Sequence, residues 1–366
     1  MGRSERSVVE LLREILLEAE SISFSRFMEV ALYDEAGGFF ARGRGPSGRS
    51  DFVTSPETGS LFGLMVGKAI ESLWLAQGSP EDFAVIEAGA GSGRLCREVL
   101  RSERGFRSAI NYITVERSEA LRQVQAETLG RYSNVSILAD LPDLSTSGVI
   151  IANELLDNLV FDIAEFTSDG WAEVRVALNA DSAIGDSSPE FLEVLAPLDD
   201  FRSSLIPDFA PQIGARLPIQ VGAFEWIARA ATSIKDGAMI LIDYAGNAED
   251  LARRGGWLRT YRDHSRGDDP LLYPGEADIT SDVVLDPIRD ALIDSGFRIE
   301  SETTQAEWLS GLGIEDEVAT GEAAWLAGAA RGDLEALIGR SRATEAAILT
   351  DPLGLGGFTV IVARRG

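Results

Sequence analysis

The chain has 366 residues, 45% hydrophobic and 25% charged, with a formal net charge of −26 and an isoelectric point near 4.4. That length holds one large α/β domain with insertions, or two domains, and such acidity repels phosphate backbones, which argues against nucleic-acid binding and for a basic protein partner. One cysteine, Cys96, and one histidine, His264, exclude an intrachain disulfide, a cysteine-based zinc cluster and a paired-histidine metal site.

No apolar run reaches the roughly 18–20 residues of a membrane span, so no membrane partner is expected. Residues 7–20 carry Val8, Leu11, Leu12, Ile15 and Leu16 on one helical stripe. Glu10, Glu14, Glu18 and Glu20 make this a plain amphipathic helix rather than a transit peptide, which would be poor in acids. The cytoplasm is the default location. A second helix is predicted over Phe24–Tyr33. The breaker-rich loop 37–57 follows, ending in an ordered turn at Thr54-Ser55-Pro56-Glu57, and 60–77 returns to helical spacing.

From residue 83 short apolar runs alternate with helical periods. The runs at 83–89, 110–116, 135–140, 148–154, 237–245, 297–304 and 357–365 read as seven strands. Alternation of this kind predicts a mostly parallel sheet with helices on both faces. Two stretches interrupt it: hairpin material over 161–215, turning at Asp169-Gly170, and an Ala/Leu/Glu-rich helical stretch over 305–353. The expected division is therefore an N-terminal helical extension with a covering loop (1–80), a nucleotide-binding core (81–160, 216–304 and 354–366), and those two insertions.

The chemistry concentrates in "VIEAGAGSGRL" at 85–95. Gly89, Gly91 and Gly93 follow a strand, but Arg94 stands where a dinucleotide fingerprint needs its third glycine, and no lysine completes a P-loop. Glu87 beside the loop would repel phosphate and suits an ammonium. S-adenosylmethionine (SAM) carries an ammonium and a sulfonium and no phosphate. Glu116 ends the next strand at about the spacing, roughly 20 residues, from which an acid reaches ribose hydroxyls. Asp140 and Leu141 follow the third strand, within reach of an adenine edge.

Asn153, Glu154 and Asp157 follow the fourth strand, at the end of a parallel sheet where ligands bind. Asn153 is placed with the cofactor. Glu154 and Asp157, three residues apart, could hold a guanidinium by paired charge-assisted bonds; the plainer reading makes Asp157 a helix cap and Glu154 a solvated side chain. Asp51, Thr54, Ser55, Pro56 and Glu57 form a loop that would cover the cofactor, or a helix start with proline at its first position. Asp243 and Tyr244 end the fifth strand beside the acceptor pocket. His264 is a candidate base, although a lone histidine in a polar loop is usually solvent-exposed.

The sequence resembles the MidA-like class I methyltransferases, from about Ser21 to Arg364. The marks are "SDFVTSPE" (50–57), "VIEAGAGSGRL", "IIANELLDNL" (150–159), "ILIDYA" (240–245), "YRDH" (261–264) and "PGEADITSDV" (274–283). The resemblance implies a Rossmann-like fold, SAM as cofactor and methyl transfer to arginine of a partner protein. In place of the family's aromatic pair and proline, this chain has Leu155, Leu156 and Val160. A small-molecule O- or N-methyltransferase and a SAM-binding assembly protein with little turnover are the alternative readings. No resident metal is implied, and a homodimer is a possible assembly.

Overall fold

The computed structural model describes residues 7–35, 37–42, 54–102, 105–144, 146–180, 190–262, 265–331 and 333–366. Seven strands form the central sheet: β1 (Phe83–Ala88), β2 (Ile110–Val115), β3 (Val135–Leu138), β4 (Ser147–Asn153), β5 (Gly237–Asp243), β6 (Arg298–Thr304) and β7 (Thr359–Arg365). Side by side they run β6-β7-β5-β4-β1-β2-β3. β1 to β5 pair in parallel, and β7 lies antiparallel between β5 and β6. The chain steps outward through β2 and β3, then returns to lay β4 beside β1. That reversal opens a crevice at the strands' C-terminal ends.

β1 and β5 are buried along their whole length, so their sequences are near-continuous apolar runs rather than alternations. Alternate residues feed two layers. Val85, Ile151 and Ile240 pack against helices Leu61–Ala76 and Arg94–Arg101, with Cys96 buried in that layer. Ile86, Ile150 and Met239 face helices Val221–Ala230 and Leu285–Asp294.

A second sheet is built on the hairpin Asp162–Thr167/Gly170–Leu178, to which Phe191–Pro197, Arg216–Ile219 and the two-residue strand Ile22–Ser23 add. The N-terminal helices Val8–Glu18 and Phe24–Tyr33 cover it, and Leu12, Phe24, Phe27, Phe161, Val176 and Phe191 form a core of their own. A three-stranded ribbon, Leu258–Arg262 with Ser265–Gly267 and Asp278–Ser281, follows β5. Helices Ile314–Gly328 and Leu334–Leu349 touch at Gly321 and Gly339, where a Cβ would lie 2.6 and 2.4 Å from the other backbone's carbonyl oxygen.

Candidate functional site

The loop after β1 is a set of left-handed turns: φ is +69° at Gly89, +53° at Gly91 and +75° at Gly93. The glycines serve different ends. A Cβ on Gly93, which starts helix Arg94–Arg101, would meet Leu129 Cδ1 at 2.8 Å, so this position is one of packing. A Cβ on Gly91 would meet nothing within 4 Å. There the backbone borders open space.

The loop is clamped from two sides. Glu116, at the tip of β2, accepts the Gly91 N–H at 2.9 Å through one carboxylate oxygen and the Ser118 N–H at 2.8 Å through the other. Burial pushes its carboxyl up, against these bonds. Gln125 Nε2 donates to the Gly91 carbonyl (2.7 Å), while its Oε1 accepts from Thr114 Oγ1 (2.7 Å). Glu87 is buried beneath the loop and accepts from Tyr112 Oη at 2.7 Å. Burial pushes Glu87 up to about 8, with the tyrosine bond opposing.

A cavity of about 530 Å³ opens in the crevice, a volume suited to a nucleoside-sized ligand. Glu87, Gly89, Gly91 and Glu116 line it on the β1–β2 side, Asp140 and Leu141 beyond β3, and Asn153 and Glu154 at the tip of β4. Thr54, Pro56 and Glu57 form part of its wall, whereas Ser55 sits behind them and Gly93 behind its loop. Tyr33 and Phe40 close it from the N-terminal extension. Asp140 pairs with Arg229 at 2.5 Å, and this bond lowers its carboxyl against slight burial.

Glu154 is held in a left-handed backbone, φ +53°, uncommon for a residue with a side chain. Its N–H donates to the Ile242 carbonyl at 2.8 Å, and its Oε1 accepts from Asn153 Nδ2 (3.0 Å) and the Ser55 N–H (3.3 Å). Burial, then the charge of Asp157, push it up to about 8. Asn153 Oδ1 is buried with no hydrogen-bond partner among the described residues, so it offers a ligand an acceptor.

The other acids expected in catalysis lie outside the cavity wall. Asp243 accepts the N–H groups of Leu156 (2.8 Å) and Asp157 (3.2 Å), so it fastens the turn after β4. Asp157 accepts from Thr280 Oγ1 at 2.6 Å, and burial pushes it up to about 6. Tyr244 packs on Phe358, centroids 4.0 Å apart, with the Arg259 guanidinium over its ring. None of these three stands in the cavity wall. Asp51 and His264 lie outside the described residues.

Tyr112, Thr114, Gln125 and Arg229 were not foreseen. Gln125 carried a signal: Leu121, Gln125 and Leu129 share one stripe of helix Glu119–Leu129, so a polar residue stands at a core position.

The wall fits SAM: two carboxylates placed for an ammonium and a ribose, a glycine peptide open to the ligand, and an unsatisfied amide oxygen. Residues 65–303 match the family model described as "Putative S-adenosyl-L-methionine-dependent methyltransferase". The chain belongs to this family. The methyltransferase is 27% identical over 338 residues to "Protein arginine methyltransferase NDUFAF7, mitochondrial" of Xenopus tropicalis, covering 83% of this chain and 76% of that protein. The human protein of that name is 26% identical over 312 residues, covering 76% and 68%. A Burkholderia thailandensis protein crystallised with S-adenosyl-homocysteine bound superposes with a TM-score of 0.83 at 26% identity, over 98% of this chain and 91% of that one. SAM is therefore the cofactor. The cytoplasmic expectation is corrected: these animal relatives are named mitochondrial, and a lone reduced cysteine does not tell one reducing compartment from another.

Proposed function

We propose that this methyltransferase modifies an arginine side chain of a partner protein and that Glu154 holds the acceptor. The observation that carries the reading is a half-buried carboxylate, in left-handed backbone, at the β4 tip in the wall of the cofactor cavity. The arginine-methyltransferase names of the relatives support it. So does the net charge of −26, which attracts a basic segment.

Bound SAM supplies a methyl group on a positively charged sulfur; transfer makes a nitrogen–carbon bond, breaks the sulfur–carbon bond with its electron pair left on sulfur, and frees one proton from nitrogen. The protein's part is alignment and proton management. Two donors fix Oε1 of Glu154 from within the fold. The carboxylate can accept guanidinium N–H groups, concentrate their charge on one side and take the released proton. Asp243 and Asp157 hold the turn that aims it. Glu87, Gly91, Glu116, Asp140 and Asn153 hold the cofactor.

The test is incubation of the protein with methyl-labelled SAM and cell extract. Label in a protein band that hydrolyses to methylarginine is the expected result; label in a small product alone overturns the reading. Glu154→Gln should cut transfer roughly a hundredfold while leaving S-adenosyl-homocysteine affinity within about threefold. Full transfer by that variant removes Glu154 from the mechanism.

A further inference from the structure

Ser55 and Gln305 are both fully buried, 250 residues apart in sequence, and hydrogen-bonded to each other. Ser55 Oγ donates to Gln305 Oε1 at 3.0 Å. Gln305 Nε2 donates to the Leu349 carbonyl at 3.0 Å, at the end of helix Leu334–Leu349, and the Gln305 N–H donates to the Phe358 carbonyl at 2.7 Å. On the other side the Ser55 N–H reaches Glu154 Oε1. A continuous polar chain thus runs from the helical insertion to the carboxylate at the β4 tip.

A second tie runs parallel to it. Glu345, also buried, accepts the Leu61 N–H at 2.8 Å and is hydrogen-bonded to Ser341 Oγ at 2.6 Å. Its carboxyl group lies directly over Gly59, where a Cβ would stand 2.1 Å from the carboxyl carbon. Residues 54–61 are therefore strapped to the insertion at both ends. An apolar side chain at this position would leave the buried Ser55 hydroxyl and the Leu349 carbonyl without these partners. What the amide adds is direction: both its ends are matched, and one match fixes Ser55.

We propose that Gln305 is a positioning residue for methyl transfer, holding the Ser55–Glu57 turn against the Glu154 carboxylate and so making the helical insertion a determinant of the cavity's reacting end. The proposal rests on Glu154 belonging to that site, not on the identity of the acceptor. The charged and titratable groups acting on Glu154 are Asp157, Glu57, Asp243 and Tyr244, none of which Gln305 touches.

Gln305→Met preserves volume and deletes both side-chain bonds. With glutamate carboxyl carbons labelled, the Glu154 signal is assigned by its loss in Glu154→Gln and titrated by NMR. Its wild-type midpoint is expected well above the usual glutamate range, because burial pushes it up. In Gln305→Met it should move upward, because the Ser55 N–H bond favours the ionised form, and S-adenosyl-homocysteine should bind about fivefold more weakly. Ser55→Ala keeps the N–H and the Gln305–Leu349 bond, so it should shift the midpoint in the same direction by less. If Gln305→Met does not fold, Ser55→Ala decides. A merely structural role would lower thermal stability and leave the Glu154 midpoint in place; an unchanged midpoint and unchanged affinity in a folded variant overturn the proposal. Neither readout requires an acceptor, so failure to find methylarginine leaves the test intact.

Discussion

At the scale of single residues, the cofactor site separates groups that look alike in sequence. Glu87 and Glu116 both stand at strand ends, yet backbone N–H groups including those of Gly91 and Ser118 hold Glu116, whereas the Tyr112 hydroxyl and the Cys96 backbone hold Glu87. Burial pushes Glu87 up to about 8, so below that pH the free protein should hold a proton there. A bound ammonium stabilises the carboxylate, so ligand binding should expel that proton. The sign follows: between pH 6 and 7.5 the affinity for S-adenosyl-homocysteine should rise with pH, approaching tenfold per unit when one full proton is released. Above about pH 8 Glu87 of the free protein has itself lost its proton, so no proton remains to be expelled and the gain flattens. Titration calorimetry in buffers of different ionisation heat counts the proton directly. Glu87→Gln should bind more weakly and without the slope; a slope that survives in the variant assigns the proton to another group.

At the scale of elements, β1, β2, β4, β5 and β7 were legible because each carries a short apolar run bounded by breakers, and burial on both faces makes such runs continuous; the edge strands β3 and β6 are more exposed, and β6 is mostly polar. Ile22–Ser23 was not legible, since two residues have no period. The ribbon of Leu258–Arg262 and Asp278–Ser281 was missed for another reason. Its strands are short and mostly polar although largely buried, and their pairing crosses a long connection that no local pattern announces. The site divides in the same way. Gly89, Gly91 and the strand-end acids sit where a parallel sheet presents them, so their place in the wall could be read, whereas Gly93 serves packing behind the loop. Asp157, Asp243 and Tyr244 have the right chemistry in the right segments, but Asp243 spends an oxygen on the turn's backbone N–H groups, Asp157 accepts from the Thr280 side chain and Tyr244 packs on Phe358. The loop-to-helix junction allows a paired test. Gly91→Val should cost about 1–2 kcal/mol from its left-handed φ and abolish S-adenosyl-homocysteine binding, because the new side chain projects into the cavity. Gly93→Val bears the same backbone strain and also collides with Leu129, so its thermal midpoint should fall further than that of Gly91→Val. Wild-type affinity in Gly91→Val would sink the assignment of that peptide to the ligand.

At the scale of the whole molecule, two cores share one chain. The layers around the central sheet contain the cofactor crevice, while the second sheet and the N-terminal helices bury a separate aromatic cluster. Phe161 connects them. It follows directly on the β4 turn that carries Glu154 and Asp157, is wholly buried, and lies with its ring 5.4 Å from Phe24 and 6.3 Å from Trp257. Truncating it leaves a cavity that rigid neighbours on three elements cannot refill, so Phe161→Ala should cost about 3–5 kcal/mol. Because the hairpin strand Asp162–Thr167 starts at the next residue, the two cores should melt together. Trp257 reports the aromatic cluster and Trp308 the central layers. With each tryptophan left in turn as the local fluorescent probe, both should show one transition, displaced to the same lower temperature in Phe161→Ala. Displacement of the Trp257 signal alone would mean that the second sheet is an autonomous unit, and the N-terminal extension would then be free to rearrange without disturbing the cofactor site.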